Sequence, residues 1–345
     1  MSRPHQSEYT KLLKKYSDFM TMKALITDPI DSSGPELLAS KGVEITTKIG
    51  LSAAEIEKIV SDFDILICRT STKVTKPIIA AAKKLQCIGL VSTGWDHIDI
   101  QEANARGIAI IGLPPNKDID VTKKGSFVPT SEHVILSMLA AAGNYCQVVD
   151  ELKQGNWNKF AFQGTELFQK TLGIIGFGRI GQLVYERAAA FGMRILVSDT
   201  SKQKSNQFPN IEFVSQENLV QESDFISIHV HKNASTIDLI NKETFATMKK
   251  GVILINTSRG GIINESDLLE ALNLGLVRAA AIDVYDNSKG KLPMDLITHP
   301  RVLATPHIAG VSLEGQKRQS IDTAQNILQY LFDGDTSNII NSPNT

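Results

Sequence analysis

Hydrophobic positions along the chain fall into short runs separated by polar, helix-compatible stretches. Lys23 to Ile30, Val43 to Ile49, Ile65 to Arg69, Cys87 to Ser92 and Ala109 to Leu113 form a first series. Such runs alternating with helical crossovers predict a parallel α/β layer. A second series opens at Thr171 and continues through Arg194 to Asp199, Glu212 to Ser215, Phe225 to Val230, Val252 to Ser258, Ala279 to Tyr285 and Val302 to Pro306. Its runs are nearly continuous in Val, Ile, Leu and Ala, which suits strands covered by helices on both faces. The pattern predicts two doubly wound parallel-sheet α/β domains.

Between the two series, Pro129 to Gly155 predicts one helix linking the domains, with Ser131 or Thr130 as N-cap, Glu132 in the first turn and Gly155 as the stop. Before it, Leu113 to Phe127 holds Pro114, Pro115, Asn116 and Gly125, the chemistry of a hinge loop. The segment Leu313 to Phe332 predicts a last helix ended by Asp333 and Gly334, followed by a short tail with Ile339 and Ile340. Residues 1–22 stand outside this scheme as an N-terminal extension. Lys11, Lys14 and Lys15 beside Leu12 and Leu13 suit a short solvated helix, an alternative start, or an amphipathic membrane or partner helix. No repeat at a spacing of roughly 20–50 residues is visible.

A length of 345 residues suits two domains. Lys plus Arg number 36 against 37 Asp plus Glu, a formal charge of -1, so no global field draws in nucleic acid or an anionic membrane surface. The apolar stretch from His133 to Gly143 is far shorter than the ~18–20 residues of a membrane span. The N-terminus has no apolar core with a small-residue cleavage site, so the expectation is a soluble, unexported, cytoplasmic protein. Cys68, Cys87 and Cys146 are widely spaced with no Cys/His cluster, which argues against a disulfide framework and against a metal site.

The second series carries the first chemical signal. Leu172 to Ile175 is an apolar run, followed by Gly176-Phe177-Gly178-Arg179-Ile180-Gly181 and a helix-like stretch from Gln182 to Phe191. A strand before the G-x-G-x-x-G and a helix after it form the context of a dinucleotide site. Gly176 allows a tight turn, Gly178 lets backbone approach a pyrophosphate, and Gly181 lets the helix pack on its strand. Arg179 either adds charge at the phosphates or is solvated. Asp199 lies 18 residues beyond Gly181, at the end of the second run, where a carboxylate accepts from ribose hydroxyls and repels a 2'-phosphate. That predicts NAD in preference to NADP, with Lys202 and Lys204 nearby as a complication.

Further along stand Ile255-Asn256-Thr257-Ser258-Arg259-Gly260-Gly261, then Ala281-Ile282-Asp283-Val284-Tyr285, then Thr305-Pro306-His307-Ile308-Ala309-Gly310. With Gly176 to Gly181, with Val91 to Asp99, and with Cys68 to Thr75, this ordered set resembles the D-isomer-specific 2-hydroxyacid dehydrogenases, from about Lys23 to Asn341. The resemblance implies a flavodoxin-like outer domain (23–125 and 311–345) and an inserted Rossmann NAD-binding domain (126–310) flanking a cleft. It implies that Arg259 binds the substrate carboxylate and keto oxygen, that the amides of Thr93 and Gly94 hold the carboxylate, that Asp283 belongs to the cofactor site, and that His307 is the acid/base. It also implies a homodimer formed through the NAD-binding domain, which would suit the apolar face of the helix from Ser131 to Leu152. The small anionic substrate would be a 2-oxo or D-2-hydroxy acid; glyoxylate, hydroxypyruvate and 3-phosphohydroxypyruvate are the family substrates to try. His97, His133, His229, His231 and His299 read as packing or loop residues, and His5 as part of the tail.

The sequence departs from the family pattern in three places. A glutamate five positions after the aspartate, which pairs with the histidine, is replaced here by Ser288, so His307 is expected to be less basic than in the family. Asp286, two residues earlier, is the nearby carboxylate that could swing in to compensate. The stretch Asn116 to Val128 is longer than usual, a lid or a surface insertion. His231 stands where proline is common. The reading is an NAD-dependent reductase or dehydrogenase; the alternatives are a catalytically impaired NAD-binding sensor or partner-binding protein, or divergent redox chemistry in the same site.

Overall fold

The computed structural model describes residues 22–114, 119–200, 208, 210–286 and 290–343. The chain divides into two compact units, one built from residues up to Ser126 together with those from Ser312 onward, the other from Phe127–Val311.

In the first unit β1 (Lys23–Ile26), α1 (Ser33–Ser40), β2 (Glu44–Thr47), α2 (Ala53–Ile59), β3 (Ile65–Cys68), α3 (Lys76–Ala81), β4 (Cys87–Leu90), α4 (Ile100–Ala105) and β5 (Ala109–Ile111) follow in order. The strands make a five-stranded parallel sheet ordered β2-β1-β3-β4-β5. Leu25, Leu66, Cys68, Ile88 and Leu90 enter one core and Ala24, Ile26, Ile65, Ile67 and Cys87 the other. Successive side chains point to opposite faces of a strand, so a sheet buried on both sides needs unbroken apolar runs. The helices start where the sequence supplies caps. Ser52 accepts from the Glu55 amide while the Glu55 carboxylate accepts from the Ser52 amide, and the Asp99 side chain opens α4.

The second unit runs α5 (Phe127–Ala142), α6 (Tyr145–Lys153), β6 (Thr171–Ile175), α7 (Arg179–Ala190), β7 (Arg194–Ser198), β8 (Ile211–Phe213), α8 (Gln216–Glu222), β9 (Phe225–Ile228), α9 (Lys242–Thr247), β10 (Val252–Asn256), α10 (Glu265–Asn273), β11 (Val277–Ile282), α11 (Met294–Ile297) and β12 (Val302–Ala304). Its seven-stranded parallel sheet is ordered β12-β11-β10-β9-β6-β7-β8. The order reverses between β6 and β9, and the crevice outside the carboxyl ends of such strands is where doubly wound sheets bind ligands.

The single helix expected from Pro129 to Gly155 is two helices. Asn144, just after Gly143, takes a left-handed φ of 52°, and the end of α5 is closed by bonds from elsewhere in the unit, the Thr165 amide donating to Ala142 O. The start also differs. α5 begins at Phe127, and Ser131 donates its hydroxyl back to Val128 O at 2.7 Å instead of capping. Pro129 is tolerated because first-turn amides have no intrahelical acceptor.

The first unit is completed by α12 (Leu313–Leu328), opened by the Ser312 side chain and extended by a π-helical turn from Gln329 to Asp333 that stops at Gly334, φ 69°. Asp322 of α12 holds the described part of the loop before α5: its carboxylate accepts from Lys124 Nζ and from the Gly125 amide, both at 2.8 Å. Among the described residues no helix is long and apolar enough to cross a membrane, and no cluster of His, Cys, Asp or Glu is arranged to hold a metal. Residues 1–21 of the N-terminal extension lie outside the described residues.

Candidate active site

The carboxyl edge of the seven-stranded sheet gathers the glycine motif, Asp199, Arg259, Asp283 and His307. β6 ends at Ile175, and Gly176 turns the chain with φ 92°, its Cα so close to β9 that a Cβ would stand 2.7 Å from His229 O. Phe177 buries its ring in edge contacts with Tyr185, Phe208 and Phe213, leaving its backbone at the turn. The Phe177 amide donates to Asp199 Oδ2 at 2.6 Å, which ties the glycine turn to the end of β7. A Cβ on Gly181 would come within 2.4 Å of Gly176 O, so the helix sits directly on the turn. Arg179 begins α7, and its guanidinium carbon lies 5.3 Å from the centroid of the Phe127 ring; Ile180 behind it is half-buried.

Two observations fit a dinucleotide here. A Cβ built on exposed Gly178, the N-cap of the twelve-residue α7, would meet nothing within 4 Å, so open space lies at a helix end carrying amide donors and a partial positive charge. The buried hydroxyl of Thr257, just past the end of β10, has no hydrogen-bond partner among the described residues. Nearby, Ser227 Oγ and His229 Nε2 are 2.8 Å apart, and burial pushes the His229 imidazole down to about 3, so it is neutral near pH 7.

Arg259 stands on a turn built by Asn256. Asn256 Oδ1 accepts from the Ser258 amide at 3.0 Å and hydroxyl at 2.6 Å, and its Nδ2 donates to Arg259 O at 3.1 Å. Gly260 passes so near β11's end that a Cβ would fall 2.0 Å from the Tyr285 carbonyl carbon, so no other residue fits. One guanidinium nitrogen, Nη1, donates to Ser258 O at 2.7 Å.

His307 is exposed and has a φ of 57°. A left-handed conformation is costly for a residue with a Cβ and persists only where the surroundings impose it. Asp283, 1% exposed, imposes it: Oδ1 accepts from Thr305 Oγ1 at 2.6 Å and the Ile308 amide at 2.8 Å, and Oδ2 accepts from the Ala309 amide at 2.9 Å. The carboxylate thus clamps the chain on both sides of His307. His133, on α5, lies behind the clamp, a residue whose proximity no sequence signal shows. Tyr285 donates its hydroxyl to Ile282 O at 2.8 Å, and burial together with the Asp283 charge pushes it up to about 12.

Ser288 lies outside the described residues. The Asp286 amide donates to Glu265 Oε1 at 2.6 Å, and its carboxylate stands 3.7 Å from Lys232 Nζ. His231 is exposed, and its carbonyl accepts from Thr236 Oγ1 at 2.7 Å.

In the first unit Thr93 and Gly94 follow β4. Ser92 Oγ donates to Gly94 O at 2.8 Å, holding a turn whose Thr93 and Gly94 amides donate to no protein acceptor among the described residues. At the β1/β3 switch point of the same sheet, buried Asp28 accepts from the Arg69 amide at 2.7 Å. Burial lowers the affinity of the Arg69 guanidinium for its proton, opposed by the Asp28 charge. Arg69 was visible in the sequence only as part of a longer segment; its place at the switch point is a property of the topology.

Residues 135–309 match the family model for the NAD binding domain of D-isomer specific 2-hydroxyacid dehydrogenases. Over 309 residues the chain is 39% identical to a hydroxypyruvate reductase of Thermotoga maritima, covering 89% of this chain and 97% of that protein. It is 38% identical over 325 residues to a D-3-phosphoglycerate dehydrogenase of Methanocaldococcus jannaschii, covering 94% of this chain but only 60% of the relative's length. Among solved structures, a D-lactate dehydrogenase from Aquifex aeolicus complexed with NAD and lactic acid superposes with a TM-score of 0.81 at 25% identity, covering 93% of this chain and 100% of that one.

Proposed function

Because the chain belongs to the D-isomer specific 2-hydroxyacid dehydrogenases, an NAD-dependent oxidoreductase family, we propose that it interconverts a small 2-oxo acid and the D-2-hydroxy acid with His307 as acid/base. The observation that carries this reading is the His307 turn: an exposed imidazole in a left-handed conformation, held by three bonds to one buried carboxylate. Strain maintained by its surroundings is a mark of functional positions.

When bound, NADH would supply the hydride. Gly176, Gly178, Ile180 and Gly181 would hold its pyrophosphate against the start of α7, with Arg179 alongside, and Asp199 would accept from the adenosine ribose and disfavour a 2'-phosphate. Asp283 serves this site through the turn it clamps. Arg259, whose fork of donors matches a carboxylate, would bind the acid and polarise the keto oxygen. In the first unit the Thr93 and Gly94 amides offer donors to a carboxylate. As the carbonyl carbon is reduced, the protonated His307 ring gives its N–H proton to the keto oxygen; in the reverse direction the neutral ring takes the hydroxyl proton.

The proposal includes a homodimer through the NAD-binding unit. Leu136 is 61% exposed on α5, and Tyr145 on α6 and Trp157 beyond it are 64% and 84% exposed, a concentration of large apolar groups that association would bury. Free, buried Cys68 and Cys87 support a reducing, cytoplasmic setting. The functional test is NADH oxidation by the purified protein with glyoxylate, hydroxypyruvate and 3-phosphohydroxypyruvate, repeated with NADPH. Turnover of at least one acid with NADH favoured is the expected result. Tight NADH binding with no turnover of any acid would overturn the enzyme reading in favour of an NAD-binding sensor.

A further inference from the structure

The clamp on the His307 turn has a second layer. The Thr305 hydroxyl has one proton, and at 2.6 Å that proton goes to Asp283 Oδ1, which accepts from the Ile308 amide as well. The lone pairs of Thr305 Oγ1 are therefore left to accept. The group facing them is His133, whose Nε2 lies 3.5 Å from Thr305 Oγ1 and 4.0 Å from Asp283 Oδ1, with the side chain 13% exposed. Both neighbours are acceptors toward it, so Nε2 carries its hydrogen. His133 comes from α5, Asp283 follows the end of β11 and Thr305 the end of β12, all within the second unit. With Nε2–H donating, the Thr305 rotor has one favourable direction, toward Asp283. Without that donor the hydroxyl is free to turn and the clamp loses one of its three bonds for part of the time.

We propose that His133 is a positioning residue of the hydride-transfer site: its Nε2–H, acting through the Thr305 hydroxyl and the Asp283 carboxylate, fixes the turn on which His307 stands. The proposal rests on the reading of His307 as the acid/base, and its role is conveyed without His133 touching substrate. Glutamine at position 133 keeps an N–H donor near the place of Nε2; leucine fills the space without one. At position 305, serine keeps the hydroxyl and valine keeps the shape.

The experiment compares His133→Leu, His133→Gln, Thr305→Val and the double variant His133→Leu/Thr305→Val by two readouts. The first is steady-state turnover of hydroxypyruvate with NADH. The loss of one directing hydrogen bond should lower kcat about tenfold in His133→Leu with little change in the KM for NADH, and His133→Gln should recover most of it. The double variant should be no slower than Thr305→Val alone, because both changes cut the same path. The second readout is amide hydrogen exchange at Ile308 and Ala309, the two backbone donors to Asp283. It should quicken in His133→Leu and not in His133→Gln, while amides of β10 keep their wild-type rates. A merely structural role would instead speed exchange across the unit and lower kcat equally for leucine and glutamine. Should His133→Leu not fold, His133→Met against His133→Gln carries the same comparison, since methionine has the shape of glutamine without its N–H donor. Because exchange needs no turnover, a protein inactive on every acid whose Ile308 and Ala309 amides still respond retains the positioning role and loses the enzyme reading. Unchanged exchange, equal effects of leucine and glutamine, or additive losses in the double variant would overturn the proposal.

Discussion

Two of the tight turns at the carboxyl edge of the seven-stranded sheet, those at Gly176 and His307, reach a left-handed backbone by opposite means. After β6 the residue is Gly176, φ 92°, which takes that conformation without steric cost and leaves room for β9's end. After β12 it is His307, φ 57°, which does not. Its conformation is held from outside, by a carboxylate on the neighbouring strand's end that accepts from Thr305, Ile308 and Ala309. One turn stores its geometry in the residue that makes it, the other in a partner 24 positions earlier in the chain. The first presents bare backbone; the second has to present a side chain, so glycine is not available to it.

The contrast breaks most visibly at Asp283. Asp283→Ala leaves the Ile308 and Ala309 amides and the Thr305 hydroxyl without an acceptor, and a loss of about 3–5 kcal/mol in unfolding free energy is expected in urea titrations, with turnover lost in step. A loss below about 1 kcal/mol would mean that the turn stands without its clamp. Gly176→Ala places a Cβ 2.7 Å from His229 O in a left-handed backbone, so about 1–2 kcal/mol of strain and at least about tenfold weaker NADH binding are expected from calorimetry.

The pH dependence of stability sharpens the picture of the same edge. The folded protein holds His229 neutral down to about pH 3, whereas the unfolded chain protonates it near 6.5. Its stabilising contribution is therefore complete above pH 6.5 and is lost as pH falls toward 3, with a slope of up to ~1.4 kcal/mol per pH unit between those values. His229→Gln should flatten that part of the stability profile; an unchanged slope would place the titration elsewhere. The smallest effect is expected at the strained turn itself. His307→Gly should raise stability by about 1 kcal/mol or less by relieving the left-handed penalty, while abolishing turnover. A destabilised His307→Gly would show that the imidazole contributes more to holding the turn than its backbone costs.

The two turns also differ in how far they can be read from sequence. Fold class is legible because both sheets are covered on both faces, which forces the near-continuous apolar runs at Ile65 to Cys68 and Val252 to Ile255. The glycine turn is legible for a local reason, since Gly176, Gly178 and Gly181 act at fixed offsets between a strand and a helix. The helix linking the two units is less so. Apolar periodicity continues through Gly143 and Asn144, but the break depends on Thr165 and Asn144 finding acceptors across a loop. At the His307 turn the motif marks the histidine, yet nothing in the sequence shows that Asp283 grips the chain on both sides of it or that His133 stands behind Thr305. Those relations join α5, β11 and β12 through tertiary packing. Arg69 and Asp28 are hidden for the same reason, because the β1/β3 switch point exists only once the strand order is known.

The measurement closest to the central claim is a paired determination on His307→Ala: the dissociation constant for NADH by fluorescence titration, and kcat on the best 2-oxo acid. With His307 as the acid/base, NADH binding stays as in the wild type while kcat falls by about 10²–10⁴-fold. Turnover within about tenfold of wild type, with NADH binding intact, would contradict the account and move the proton transfer to another group.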